Sequence, residues 1–158
     1  MKQYSEPEAL NKAAAYCTLT ERCTGEVNAK LIAWGIESAA RQRIIKRLTE
    51  EKFIDDKRYC QAFVNDKMRF NHWGRIKISA KLKEKELPSE HIVNALAGID
   101  EEEYADILQK ILNNKRRETG KSNDYQTRQK LLRFATSRGF EYPLILKLLK
   151  FDPDEMDF

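Results

Sequence analysis

Val27-Asn28-Ala29-Lys30-Leu31-Ile32-Ala33-Trp34-Gly35-Ile36 sets out a pattern that the chain writes three times. Val27, Leu31 and Gly35 are spaced i, i+4, i+8, and Ile36 follows. Ile78, Leu82 and Glu86 repeat that spacing with Leu87 next, and Leu131, Ala135 and Gly139 repeat it with Phe140 next. The anchors stand 51 and then 53 residues apart. Steps of four place side chains on one face of an α-helix. Self-similarity at a fixed interval of about 50 residues marks tandem structural units.

Each anchor is followed by a short polar connection and a helix with adjacent apolar residues. These are Ile44 and Ile45 with Leu48, Ile92 and Val93 with Leu96, and Leu144 and Ile145 with Leu148. A helix precedes each anchor, carrying Ala14 and Tyr16, then Tyr59 and Phe63, then Tyr104 and Leu108. The pattern predicts three three-helix modules, over residues 1–52, 53–99 and 100–158. A module of three short helices has little core of its own, and stacking buries what is left over. The fold class expected is therefore all-α, an elongated right-handed or curved array of tandem modules. The alternative is one compact helical bundle.

Nine helices follow from the period and its stop signals. They cover about 7–19, 24–35, 37–51, 56–70, 74–85, 89–97, 101–117, 125–138 and 143–151. Asp55 or Asp56 is expected to cap the fourth helix, since a short carboxylate accepts the free amides of a first turn. Gly139 is expected to stop the eighth, and Asp152-Pro153 the ninth. The polar stretch 118–124 reads as a loop.

Of the 158 residues, 41% are apolar and 34% charged, and the net charge is +4. Basic residues cluster in 67–85 and 110–133, while Asp152, Asp154, Glu155 and Asp157 make the end acidic. Such a polarised field attracts phosphate backbones or acidic protein faces. No run is long and apolar enough for a membrane span, and the first twelve residues lack a signal-peptide core. A cytoplasmic protein is expected. Cys17, Cys23 and Cys60 form no CxxC, so neither a disulfide framework nor a zinc site is expected.

Catalytic chemistry finds little support. His72 and His91 fall on different elements. The carboxylates Asp55-Asp56 and Glu101-Glu102-Glu103 sit at helix starts, where the macrodipole favours negative charge. Gly120-Lys121-Ser122 resembles the end of a phosphate loop, but position 115 is Lys and a helix precedes it. No catalytic residue, metal site or cofactor is assigned. His72-Trp73-Gly74-Arg75-Ile76-Lys77 joins a basic helix end, a large aromatic and a turn. It reads either as a contact point for phosphate or an acidic partner, with Arg75 and Lys77 supplying charge, or as a tight turn with Trp73 packed inward. The cations around Ile44, Ile45 and Leu48 belong to the solvated side of an amphipathic helix.

Phe53-Ile54-Asp55-Asp56-Lys57-Arg58-Tyr59-Cys60, Trp73-Gly74-Arg75-Ile76-Lys77-Ile78 with Leu82, and Arg138-Gly139-Phe140 with Ile145 together resemble the RecX family, over about residues 9–150. Two departures stand out. Cys23-Thr24-Gly25-Glu26-Val27 replaces the family's Ser-x-x-Glu-Leu helix start, which weakens the capping box. Lys85-Glu86 replaces Lys-Gly, so the turn before Pro88 is expected to differ. The resemblance implies a regulator of DNA repair and the SOS response that binds the RecA recombinase filament, mainly inhibits it, and needs no cofactor; a monomer is expected. The candidate partner contacts are Arg69, Arg75, Lys77, Lys81, Lys115, Arg116, Arg128, Lys130 and Arg138, with the DNA phosphate backbone as a further partner. A stand-alone nucleic-acid-binding protein is the alternative, and a helical enzyme with a deep pocket is a third class.

Overall fold

Capping chemistry and apolar spacing set the helix limits. The computed structural model describes residues 4–119 and 125–150. Among them are nine helices and no strand: α1 (Glu6–Leu19), α2 (Thr24–Ala33), α3 (Ser38–Glu50), α4 (Asp56–Arg69), α5 (Arg75–Glu84), α6 (Ser89–Ala97), α7 (Glu101–Thr119), α8 (Tyr125–Ser137) and α9 (Tyr142–Leu149). The all-α class stands. Backbone contacts divide the chain into two compact units, Met1–Ala62 with Leu82–Ala95, and Phe63–Lys81 with Leu96–Phe158. The second helix triplet thus contributes residues to both.

In the first unit α1, α2 and α3 pack on one another around Ala9, Ala13, Val27, Leu31, Ile44 and Leu48. In the second, α7, α8 and α9 pack on one another. Tyr104, Leu108, Leu112, Leu131, Ala135, Phe140 and Ile145 are buried there. In each anchor set the two helical apolar residues and the residue after the turn are buried, whereas Gly35 and Glu86 are exposed, and the flanking expectations need correction. Adjacent helical residues point about 100° apart, so only one of each apolar pair can enter a core. Ile44, Ile92 and Ile145 do so, while Val93 is 62% exposed. In α1 the buried residues are Ala9 and Ala13, and Ala14 and Tyr16 are only half-buried.

The three anchors end in the same turn. Gly35, Glu86 and Gly139 all take positive φ, at 78°, 61° and 93°. The next amide donates back to the carbonyl of the second anchor: Ile36 to Leu31 at 3.0 Å, Leu87 to Leu82 at 3.3 Å, Phe140 to Ala135 at 3.2 Å. This is the glycine-type helix stop. The expectation that the turn at Glu86 would differ is therefore overturned. The buried Leu87 side chain and the reach-back bond outweigh the strain of a left-handed Glu. That strain is on the order of 1 kcal/mol, so Glu86→Gly is expected to stabilise the protein by about 0.5–1 kcal/mol. A urea midpoint unchanged or lowered would contradict this.

Two neighbouring carboxylates serve different helices. Asp55 caps α4, accepting from the Arg58 amide at 3.0 Å. Asp56 reaches the first turn of α2, accepting from the Thr24 amide and hydroxyl, each at 2.9 Å. Glu26 accepts from the Cys23 amide at 3.1 Å. The weak Cys23 cap is thus supported by a residue 33 positions later in the chain. Asp56→Ala is expected to cost about 1–2 kcal/mol by thermal melting, the upper range for a lost cap. A midpoint equal to that of the parent chain would assign the capping of α2 elsewhere.

α7 runs two residues beyond its expected end, and the Thr119 hydroxyl donates to the Lys115 and Arg116 carbonyls. α9 stops at Leu149, earlier than expected, because Lys150 enters the left-handed region at φ 57°. Asp152-Pro153, the acidic end and Gly120-Lys121-Ser122 lie outside the described residues. No helix among the described residues is long and apolar enough to cross a membrane.

Candidate binding site in the second unit

A helix that starts after glycine has no side chain with which to cap itself. α5 follows Gly74, and its first amides must find partners elsewhere. The Gly74 amide donates to the Arg138 carbonyl at 2.7 Å, and the Ile76 amide to the Gly139 carbonyl at 3.0 Å. The Arg75 amide donates to the Tyr104 hydroxyl at 2.9 Å. The same bonds satisfy carbonyls left over at the end of α8. Two segments sixty residues apart in sequence, 73–78 and 138–140, therefore cap each other.

The approach needs glycine on both sides. A Cβ on Gly74 would lie closer than 3.0 Å to the Gly139 carbonyl and the Phe140 nitrogen. A Cβ on Gly139 would meet Lys77 closer than 3.0 Å, and Gly139 also has φ 93°.

Arg75 then forms a charged clamp around this contact. One guanidinium nitrogen pairs with Glu141 at 2.7 Å, and the other with Glu101. The guanidinium carbon lies 4.0 Å from the centroid of the Tyr104 ring, a cation–π arrangement. The Tyr104 hydroxyl donates to Glu141, and its ring sits 5.1 Å from that of Phe140. Burial, and next the bond to Glu141, push the Tyr104 phenol well above its ordinary range. Burial opposes the charge on Arg75, but the hydrogen bonds to Glu101 and Glu141 override it and hold its pKa up.

The basic candidates separate accordingly. Arg75 is only 21% exposed and holds three elements together. Arg69 pairs with Glu103 at 2.6 Å. Lys77 lies 4.5 Å from the Trp73 ring centroid and Lys67 5.0 Å, with Trp73 half-buried between turn and solvent. Lys115 and Arg138 meet around Phe134, at 5.2 and 5.0 Å from its centroid, in a groove of about 230 Å³ that His72 also lines. Lys81, Arg116 and Arg128 are half-buried and Lys130 is exposed. Of the named candidates, the structure brings Lys115 and Arg138 to one groove. Tyr104, Glu101, Glu141 and Phe134 were not among the candidates. Helical spacing marks Tyr104 as an ordinary core position, and the one signal at Phe134 is its place directly after the basic segment 110–133.

His72 and His91 belong to different units. Burial raises the Cys23 and Cys60 thiols to about 11 each, so both are protonated near neutral pH. Among the described residues no cluster of His, Cys, Asp or Glu could hold a metal ion.

Comparison with known proteins gives a consistent picture. Residues 55–96 match the second three-helix domain of RecX, and residues 101–149 match the third. The regulatory protein RecX of Xanthomonas axonopodis pv. citri is 30% identical over 154 residues, covering 98% of this chain and 93% of that protein. The regulatory protein RecX of Clostridium botulinum is 34% identical over 129 residues, and that of Lactobacillus johnsonii 28% over 143. The matches span 59% and 53% of those two relatives' own length. The crystal structure of RecX from Lactobacillus salivarius shares the fold, with a TM-score of 0.84 at 20% identity over 92% of this chain and 94% of that one. The glycine contact described above joins the two matched domains, and a relative is matched almost end to end. This chain belongs to the RecX family.

Proposed function

We propose that the chain is a cytoplasmic regulator that binds RecA filaments on DNA and restrains their activity, acting by occupancy and not by bond chemistry. The observation that carries this reading is the ordered match to consecutive RecX domains within a chain whose matched relatives are named regulatory proteins. Two further features support it. The second unit concentrates cations on α5, α7 and α8, which suits an acidic partner or a nucleic-acid backbone. The buried thiols are held in their unreactive, protonated form.

Partner contact falls to Lys77, Lys81, Lys115, Arg116, Arg128, Lys130 and Arg138. Arg69 and Arg75 act differently in this reading, since their charge is already matched by Glu103, Glu101 and Glu141. They position the surface and do not touch the partner.

The test is RecA's DNA-dependent ATP hydrolysis at increasing ratios of this protein to filament. Hydrolysis should fall by at least several-fold at molar excess. Unchanged hydrolysis, together with failure to co-sediment with filaments, would end this reading.

A further inference from the structure

The groove around Phe134 brings three features together. An aromatic ring stands half-buried at its wall. Two cations, Lys115 and Arg138, lie within about 5 Å of the ring centroid. Asn114 and His72 line the remaining edge with hydrogen-bonding groups. All belong to the second unit. The volume of about 230 Å³ is below the roughly 300–1,000 Å³ of pockets that hold whole small molecules. It suits a single ring system.

We propose that this groove binds one unstacked base of a single-stranded nucleic acid, with Phe134 as the stacking platform and Lys115 and Arg138 on the flanking phosphates. Every base has a π-face, and stacking on an aromatic side chain tolerates any sequence. The base takes the place of one cation on the ring. The displaced cation then turns to the phosphate, where the attraction is between full charges and not between a charge and a quadrupole. Asn114 and His72 offer donors and acceptors to the base edge. A duplex does not fit, because its bases are stacked and their faces closed. An acidic peptide would use the two cations but leave the ring without a purpose. Glu118 opposes the arrangement, since its carboxylate pairs with Lys115 at 3.3 Å and must yield when a phosphate arrives. The inference does not rest on binding to RecA, and its test contains no recombinase.

The test uses the full chain and a fluorescein-labelled thymidine oligonucleotide of about 20 residues, followed by anisotropy at low salt. Phe134→Leu keeps an apolar side chain of moderate size and removes the ring. It should weaken binding about tenfold, the scale of one lost base stack, while the melting temperature falls by no more than about 4 °C. Phe134→Trp should retain affinity, and its fluorescence should be quenched on binding. Lys115→Gln with Arg138→Gln should weaken binding and flatten its salt dependence, whereas Glu118→Gln should strengthen it. A duplex of equal length should bind at least several-fold more weakly. The proposal is overturned if F134L binds the oligonucleotide as the parent chain does, or if the duplex binds equally well. It is also overturned if thymidine monophosphate competes at the oligonucleotide's own concentration, which would make the site one for free nucleotides. If F134L loses filament association while keeping the oligonucleotide, the occupant is protein, and the proposal fails while the regulatory reading survives.

Discussion

Gly74→Ala is expected to lower stability by at least about 3 kcal/mol, the upper range for overpacking a close contact. The added methyl would fall within 3.0 Å of backbone atoms of Gly139 and Phe140, which cannot move aside as a flexible side chain can. Relief would require the start of α5 to separate from the end of α8. That would break the bonds from Gly74 to Arg138 and from Ile76 to Gly139. For a chain of this size the loss corresponds to a melting temperature lower by about 10 °C. Gly139→Ala should be as severe, because the Lys77 backbone and φ 93° both oppose it.

Gly35→Ala separates the two causes. Gly35 has φ 78° but no atom within 4 Å of an added Cβ. It should cost only about 1 kcal/mol, the conformational share. Gly74→Ala and Gly139→Ala break one shared contact, so the double variant should be far less destabilised than the sum. Additive losses in urea unfolding, or a Gly74→Ala variant as stable as Gly35→Ala, would mean that the close approach is not what holds this turn.

Arg75→Glu is the second large effect, with an expected loss of about 3 kcal/mol, the lower end for an uncompensated charge in a partly buried pair. The change places a third carboxylate beside Glu101 and Glu141 and removes the cation over Tyr104. Most of the loss should come from the Glu141 side. Glu101 is 78% exposed, and water and salt screen that arm. Arg75→Lys should fall between, since one ammonium cannot serve two carboxylates and a ring in the planar, forked manner of a guanidinium. A charge swap, Arg75→Glu with Glu141→Arg, should recover part of the stability. If Arg75→Glu melts within 2 °C of the parent chain (less than about 1 kcal/mol), the clamp contributes nothing and Arg75 returns to the set of partner contacts.

These two variants also separate architecture from recognition. Both act on the turn that carries Lys77 and Arg138, so they should impair filament regulation and lower stability together. Lys77→Gln or Lys130→Gln should affect regulation alone. Surface substitutions of that kind usually change stability by no more than about 0.5 kcal/mol.

The amino-acid sequence by itself determined the helices, the threefold recurrence and the family. Each depends on local or periodic features: four-residue apolar steps at Val27, Ile78 and Leu131, carboxylate caps, and a left-handed stop after each anchor. Even Glu86 obeyed the repeat, because the buried residue after it dictates the turn more strongly than its own preference does.

Tertiary structure decided everything that joins residues far apart. Nothing in the spacing of Gly74 and Gly139 says that their backbones touch, that Tyr104 supplies an amide acceptor to α5, or that Asp56 caps α2. Nor does the abundance of cations distinguish Arg75, drawn inward by two carboxylates, from Lys115 and Arg138, gathered around one ring. A charge in a sequence carries its sign but not its partner. The partner is chosen by which helix ends meet, and that depends on how little room two glycines require.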